Sequence, residues 1–182
     1  YNRINYLDSK YLTGALLSDT AVFRTYTPSV WTGVEPNANI TVTVFNHMYT
    51  NIKWGSVLVS HRMAANETYT MLAPTGTSFN DTETIIYGAS LILSLGDLSP
   101  LYVGSVDVSK MDKLSELIIG SGVTGYANTN LTNVSVGNNT MLKKIDVRNC
   151  PSLANALDLS GCKNITEILA TGSQISSVIL PN

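Results

Sequence analysis

Three aspartates are the residues of this chain whose type and spacing could do chemistry. Asp107, Asp146 and Asp158 each sit between two apolar residues in a short alternating segment. Two carboxylates on one face could act as acid and base on a glycosidic bond. In a coil with a strand on each of two sides, however, Asp146 falls on the opposite side from the other two, and Ser135 separates those. We therefore expect a solvated outer face and not a catalytic pair.

The cysteines and histidines do not suggest a second reactive site. Cys150 and Cys162 match no zinc-ligand spacing, and His47 and His61 lie far from them in sequence, in expected hairpin turns. Burial as small side chains explains both cysteines, and opposite sides of a coil would keep them from a disulfide. Phosphate-binding, dinucleotide-binding, zinc-protease and EF-hand motifs are missing from the sequence. The sequence thus predicts a protein that is not an enzyme and has no metal or cofactor.

The amino-acid composition limits the kinds of partner that we expect for this chain. Only 13% of residues are charged while 44% are hydrophobic, and the polar remainder is rich in Asn, Thr, Ser and Gly. Such uncharged side chains suit stacked β-structure, where like residues repeat without charge repulsion. The net charge is −2 without a cluster of Lys and Arg, so a nucleic-acid partner is not expected. The apolar runs are too short to predict a membrane span.

The strongest pattern is a leucine-rich repeat in the C-terminal half, of the form L-x-x-L-x-L-x-x-N/C-x-x-L. The alternation inside each copy predicts a short strand whose apolar side chains face one way. A small polar residue such as Asn139 then follows, and we expect it to satisfy backbone groups where the chain turns inward. The predicted structural core of the repeat is Leu131, Val134, Val136, Leu142, Ile145, Val147, Cys150, Leu157, Leu159, Cys162 and Ile168.

The spacing of the strands leaves two arrangements open. Their centres recur at steps of about 11 residues, which is shorter than the roughly 20–29 residues of one leucine-rich coil. We favour coils that run from Val134 to Leu157 and from Leu157 to Val178, with Ile145 and Ile168 on the return side. The alternative is one small coil per segment, as in narrow β-helices.

One insertion interrupts the repeat and is the candidate binding surface. The segment GSGVTGYANTN, Gly120–Asn130, is a few residues longer than its counterparts. Insertions in solenoids emerge as loops on one face, often the face that binds. The predicted binding residues are therefore Tyr126, Asn128 and Asn130. The alternative for Tyr126 is that its ring folds back to cover the edge of the coil.

In the N-terminal part, apolar and polar residues alternate with a period of two instead. This pattern, with turns at 46–51 and 61–66, predicts a small antiparallel, β-sandwich-like unit. Trp31 and Trp54 are expected in its core, or alternatively as a platform for a sugar. The predicted strands are Ile40–Val44, Ile52–Val59 and Thr68–Leu72.

The chain is thus predicted to be mainly β, with a β-rich N-terminal unit at 1–80 and a leucine-rich-repeat solenoid at 81–182. Thr84–Gly88 and Leu91–Leu95 are expected to form an irregular first coil that caps the apolar end of the solenoid. After Val178–Leu180 a polar capping element is missing. We therefore expect either that the solenoid is truncated at residue 182 or that its edge docks on another subunit.

The segment Leu142–Asn182, LKKIDVRNCPSLANALDLSGCKNITEILATGSQISSVILPN, resembles leucine-rich-repeat stretches in large surface and virion proteins of gut anaerobic bacteria and their tailed bacteriophages. The phrases DVRNCPSL, LDLSGCKNITEI and ATGSQISSV carry the likeness. The stretch Asp81–Lys110, with GDLSPLY and VDVSK, is similar to the same group. The resemblance implies a structural or attachment role, and the family offers no catalytic residues to transfer.

These observations together predict a structural or attachment protein that is part of a bacteriophage tail or virion. Its solenoid would contact other subunits of the same assembly, or a protein or glycan on the host surface. The expected location is the virion tail or an extracellular surface. Two alternatives remain at this point: a bacterial cell-surface adhesin of leucine-rich-repeat type, and a carbohydrate-binding module.

Overall fold

The computed structural model describes residues 18–25, 39–74, 81–120, 122 and 127–182, and these residues form a mainly β structure with several sheets. Two short 3-10 helices, Ala89–Leu91 and Ser99–Leu101, accompany the strands. The strands of the described residues are β1 Thr20–Thr25, β2 Asn39–Val44, β3 Met48–Trp54, β4 Val57–Met63, β5 Thr68–Leu72, β6 Thr82–Tyr87, β7 Ile92–Leu95, β8 Ser105–Asp107, β9 Glu116–Ile118, β10 Asn133–Ser135, β11 Lys144–Asp146, β12 Leu157–Asp158, β13 Glu167–Leu169 and β14 Val178–Ile179.

The N-terminal strands build two antiparallel arrays. A six-stranded sheet has the order β10-β8-β1-β6-β3-β4, and a three-stranded sheet has the order β5-β2-β7. All pairs from β1 to β7 are antiparallel, which confirms that part of the prediction. Alternate residues on each sheet are buried, because successive side chains of a strand point to opposite faces. Phe23 and Trp54 from one sheet and Val42 from the other belong to the same apolar cluster.

A hairpin replaces the single strand predicted at Ile52–Val59. Trp54 pairs with Val57 across a two-residue turn, so β3 and β4 run antiparallel. Gly55 has φ +59°, a left-handed conformation that glycine adopts without the steric cost of a Cβ. The prediction was wrong because period-two alternation continues across such a tight turn. The connection predicted at 46–51 is shorter in the structure and lies at 45–47. The connection predicted at 61–66 lies at 64–67.

Strands β6 and β7 complete the N-terminal sheets instead of forming a first coil. β6 lies between β1 and β3, and β7 pairs with β2. The boundary predicted after residue 80 would therefore separate strands that are hydrogen-bonded to each other. The outer edge of β8 is bordered by β1, because Val106 on β8 pairs with Phe23 on one side and with Val134 on the other. β7 lies against β9, and the capping role expected of Thr84–Gly88 and Leu91–Leu95 stays a prediction.

From β8 onward, the strands pair in parallel with partners in the next turn of the chain. Ile145 on β11 lies between Leu117 on β9 and Ile168 on β13, and Leu157 on β12 pairs with Val178 on β14. The partners are 28, 23 and 21 residues apart in sequence. Consecutive strands from β8 to β14 thus belong to different sheets. This register excludes pairing between neighbouring 11-residue segments, and the longer 28-residue step contains the insertion at 120–130.

Burial follows the predicted repeat and weakens toward the last strand. Val134 and Ile168 are partly buried against the core, whereas the other predicted core residues are almost inaccessible to solvent. Those inaccessible residues are Leu131, Val136, Leu142, Ile145, Val147, Cys150, Leu157, Leu159 and Cys162. On β14 and just after it, Val178, Ile179 and Leu180 are 39%, 47% and 53% exposed. The apolar face thus continues to the last pair of strands and is open to solvent there.

Replacing Ile145 with alanine should destabilise the whole protein by about 2–5 kcal/mol, because a fully buried side chain at the centre of three strands would leave a cavity. Urea denaturation followed by circular dichroism measures this change in the free energy of unfolding. The control is Met141→Ala, since Met141 is 50% exposed and its truncation should cost about 0.5 kcal/mol or less. Equal losses in the two variants would contradict the structure.

Candidate functional site

The inward turns between strands are held by polar side chains that bond to the backbone. The amide nitrogen of Asn139 donates to the carbonyl oxygens of Met111 and Leu114 at 2.9 and 3.0 Å. Its Oδ1 accepts the N–H groups of Met141 and Leu142 at 2.9 and 3.1 Å. All the hydrogen-bonding groups of this buried amide are used. The role predicted for the Asn position is thereby confirmed at Asn139.

Cysteines occupy the equivalent positions in the next copies and lie there as free, buried thiols. Burial raises the pKa of Cys150 to about 12, and the nearby charge of Asp146 adds to the effect. Burial also raises the pKa of Cys162. A thiol acts as a nucleophile only when it is ionised, so neither residue is activated for chemistry. They fill space in the core, as the sequence predicts.

The three aspartates share a local role in turns. Each carboxylate accepts a hydrogen bond from the backbone N–H two residues further on, where its strand ends. Asp107 and Asp158 are exposed, and two hydrogen bonds from Ser160 lower the pKa of Asp158. Asp146 lies in a different sheet from these two, and Ser135 on β10 pairs with Asp107. The fold therefore does not bring the three carboxylates together.

The expectation of a solvated carboxylate is wrong for Asp146, because only 3% of this residue is exposed. The Nη2 and Nε atoms of Arg148 donate to its two carboxylate oxygens at 2.6 and 3.0 Å. The hydrogen bond and the charge of Asp146 raise the pKa of Arg148. Residues i and i+2 of an extended chain point to the same face, so the spacing of Asp146 and Arg148 was a signal that sequence reasoning missed.

Gly120 and Gly122, at the start of the insertion, lie close to this ion pair. A Cβ on Gly120 would overlap the backbone of Arg148, and a Cβ on Gly122 would lie 2.7 Å from Nη1 of the Arg148 side chain. The N–H of Gly120 also donates to the carbonyl oxygen of Asp146. Glycine is required at position 120 because the backbone of residues 147–148 approaches it so closely. The first part of the loop is thus anchored against β11.

The predicted binding residues of the loop divide into three cases. Tyr126 lies outside the described residues. Asn128 is buried, with its amide nitrogen donating to the carbonyl oxygen of Val103 and its Oδ1 accepting the N–H of Asn130. A ligand could engage Asn128 only by breaking these bonds, so its position is that of a turn residue, like Asn139. Asn130 is partly exposed, and its role as a contact residue stays a prediction.

Trp54 is buried as expected, whereas His61 departs from the position predicted for it. Trp54 is fully buried and therefore offers no face to a sugar, while Trp31 lies outside the described residues. His61 lies within β4 and not in a turn, and its ring stacks on Tyr69 with 3.5 Å between centroids. This pair joins the edge strands β4 and β5 of the two sheets. His47 lies in the bend between β2 and β3, as predicted.

A second surface feature, which sequence reasoning did not identify, lies beside the last strands. An open cleft of about 430 Å³ is lined by Lys163, Ile165, Thr166, Ile168, Leu180 and Pro181. Its walls are partly apolar, and Lys163 lies at its margin. Within the part of the chain that the structure describes, no group of three or more His, Cys, Asp or Glu side chains could hold a metal ion. The described residues also contain no helix of the length and apolarity needed to cross a bilayer.

Changing Asn139 to leucine should destabilise the fold, because the Leu114 carbonyl and the Met141 N–H lose the hydrogen bonds that the amide makes to them. The Met111 carbonyl and the Leu142 N–H each keep only a longer backbone hydrogen bond, of 3.3 and 3.4 Å. An unsatisfied buried polar group costs about 1–3 kcal/mol, so the loss should exceed that of one ordinary hydrogen bond. Thermal and urea unfolding measure the loss. The matched control is Asn155→Leu, since Asn155 is exposed and makes one weak contact of 3.4 Å. A loss no larger than that of the control would contradict the role assigned to Asn139.

Alkaline pH should destabilise the protein partly through Cys150. Its folded pKa of about 12 lies above the ordinary value of 9.0, so the native state retains a proton that the unfolded chain releases. The corresponding stability is complete below about pH 9 and declines as the pH rises toward 12. Urea unfolding at several pH values checks this. Cys150→Ala, although less stable at neutral pH, should show a flatter decline over that range, and parallel curves for the two proteins would refute the assignment.

Comparison of this chain with protein-family models, with curated proteins and with solved structures finds no match. The resemblance of Leu142–Asn182 to leucine-rich-repeat stretches therefore stays a prediction that rests on those residues. Function has to be proposed from the residues and from the geometry of the parallel strands, the insertion loop and the cleft.

Proposed function

We propose that this chain is a non-enzymatic structural or attachment protein, part of a bacteriophage tail or virion. In this proposal, a β-sandwich-like N-terminal unit leads into a leucine-rich-repeat solenoid. The solenoid presents a surface to neighbouring subunits or to a receptor on the host cell. The observation that carries the proposal is the parallel register of β8 to β14, in which each strand pairs with a strand 21 to 28 residues away.

Hydrogen bonds between successive turns of the chain support the solenoid. The side chains of Asn155, Asn164 and Thr166 donate to carbonyl oxygens 23 or 24 residues earlier in sequence. These donors are uncharged, so the same contact can recur from turn to turn without repulsion. Backbone hydrogen bonds add to them, as from the N–H of Val147 to the carbonyl oxygen of Leu169. Each turn is thus held to the next through its polar outer groups as well as its apolar core.

The N-terminal strands support a unit of sandwich type. Buried side chains from the six-stranded and the three-stranded sheets join one apolar cluster, and the His61–Tyr69 stack joins their edges. Pairing of β1 with β8 makes this unit continuous with the parallel strands. In a solenoid, such a cover removes the exposed edge of the first coil. The unit would then serve to stabilise and orient the repeats.

Composition and surface support a role in contacts. A chain with only 13% charged residues loses little charge solvation when its surface is covered by a partner. The cores of protein interfaces are likewise depleted in charge. Gly120 and Gly122, at the start of the insertion, lie against Arg148, which forms an ion pair with Asp146. Residues presented by a regular scaffold suit recognition.

The proposal is tested by locating the protein with antibodies raised against the whole chain. Immunogold electron microscopy of phage particles and of bacterial cells from the source culture should place gold on the particles, at the tail. Antibody pre-absorbed with the chain is the control for unspecific label. Gold confined to the cell envelope would replace the proposal with the surface adhesin. Gold on neither structure would refute both.

A further inference from the structure

We draw no further inference here: the strongest candidate, the surface patch of threonine and serine hydroxyl groups on one face of the sheet β5-β2-β7, carries nothing because these groups bond to one another, as Thr41 does to Thr70 at 2.8 Å, and nothing in the structure shows what covers the patch.

Discussion

The pairing of β8 on both of its edges is the constraint on which the rest of the structure depends. On one edge it is antiparallel to β1, and on the other it is parallel to β10. A stack of parallel strands needs its first edge covered, because unpaired backbone groups attract other chains. Val106 contributes to both arrangements, since it pairs with Phe23 and with Val134 and is itself fully buried. The N-terminal sheets and the parallel strands consequently share one apolar core.

Among the parallel strands and their turns, buried polar groups are tolerated because hydrogen-bond partners lie nearby. Asn139 uses both donors and both acceptor positions on the backbone, and Asn128 does the same in part. Among the described residues, the buried carboxylate of Asp146 accepts three hydrogen bonds from the guanidinium of Arg148. A buried charge without such a partner would be strongly destabilising. Because these partners lie close by, the chain can bury its turns without leaving polar atoms in the core unbonded.

The regular parallel strands and the irregular insertion occupy different parts of this molecule. Successive turns are joined by parallel strands and by Asn and Thr side chains, which leaves little freedom of register. The insertion departs from that regularity, and its first described residues, Gly120 and Gly122, lie against Arg148. Val178, Ile179 and Leu180, on and just after β14, are exposed. A regular scaffold is suited to holding partners in fixed positions, and this supports the proposed structural role.

The sequence by itself predicted which residues of 131–168 are buried, how Asn139 is used, and that Ile145 and Ile168 lie on the same side. These features are local or periodic, so the spacing of apolar residues is enough to predict them. The same spacing predicted that Val134 lies beside Leu157, but β10 and β12 belong to different sheets. Only the tertiary structure decided that Ile52–Val59 is a hairpin, that β6 and β7 belong with the N-terminal sheets, and that Asp146 is buried. Alternation indicates which side of a strand faces inward but not which strand lies beside it. That choice depends on contacts between residues far apart in sequence, such as β1 with β8 and Gly122 with Arg148.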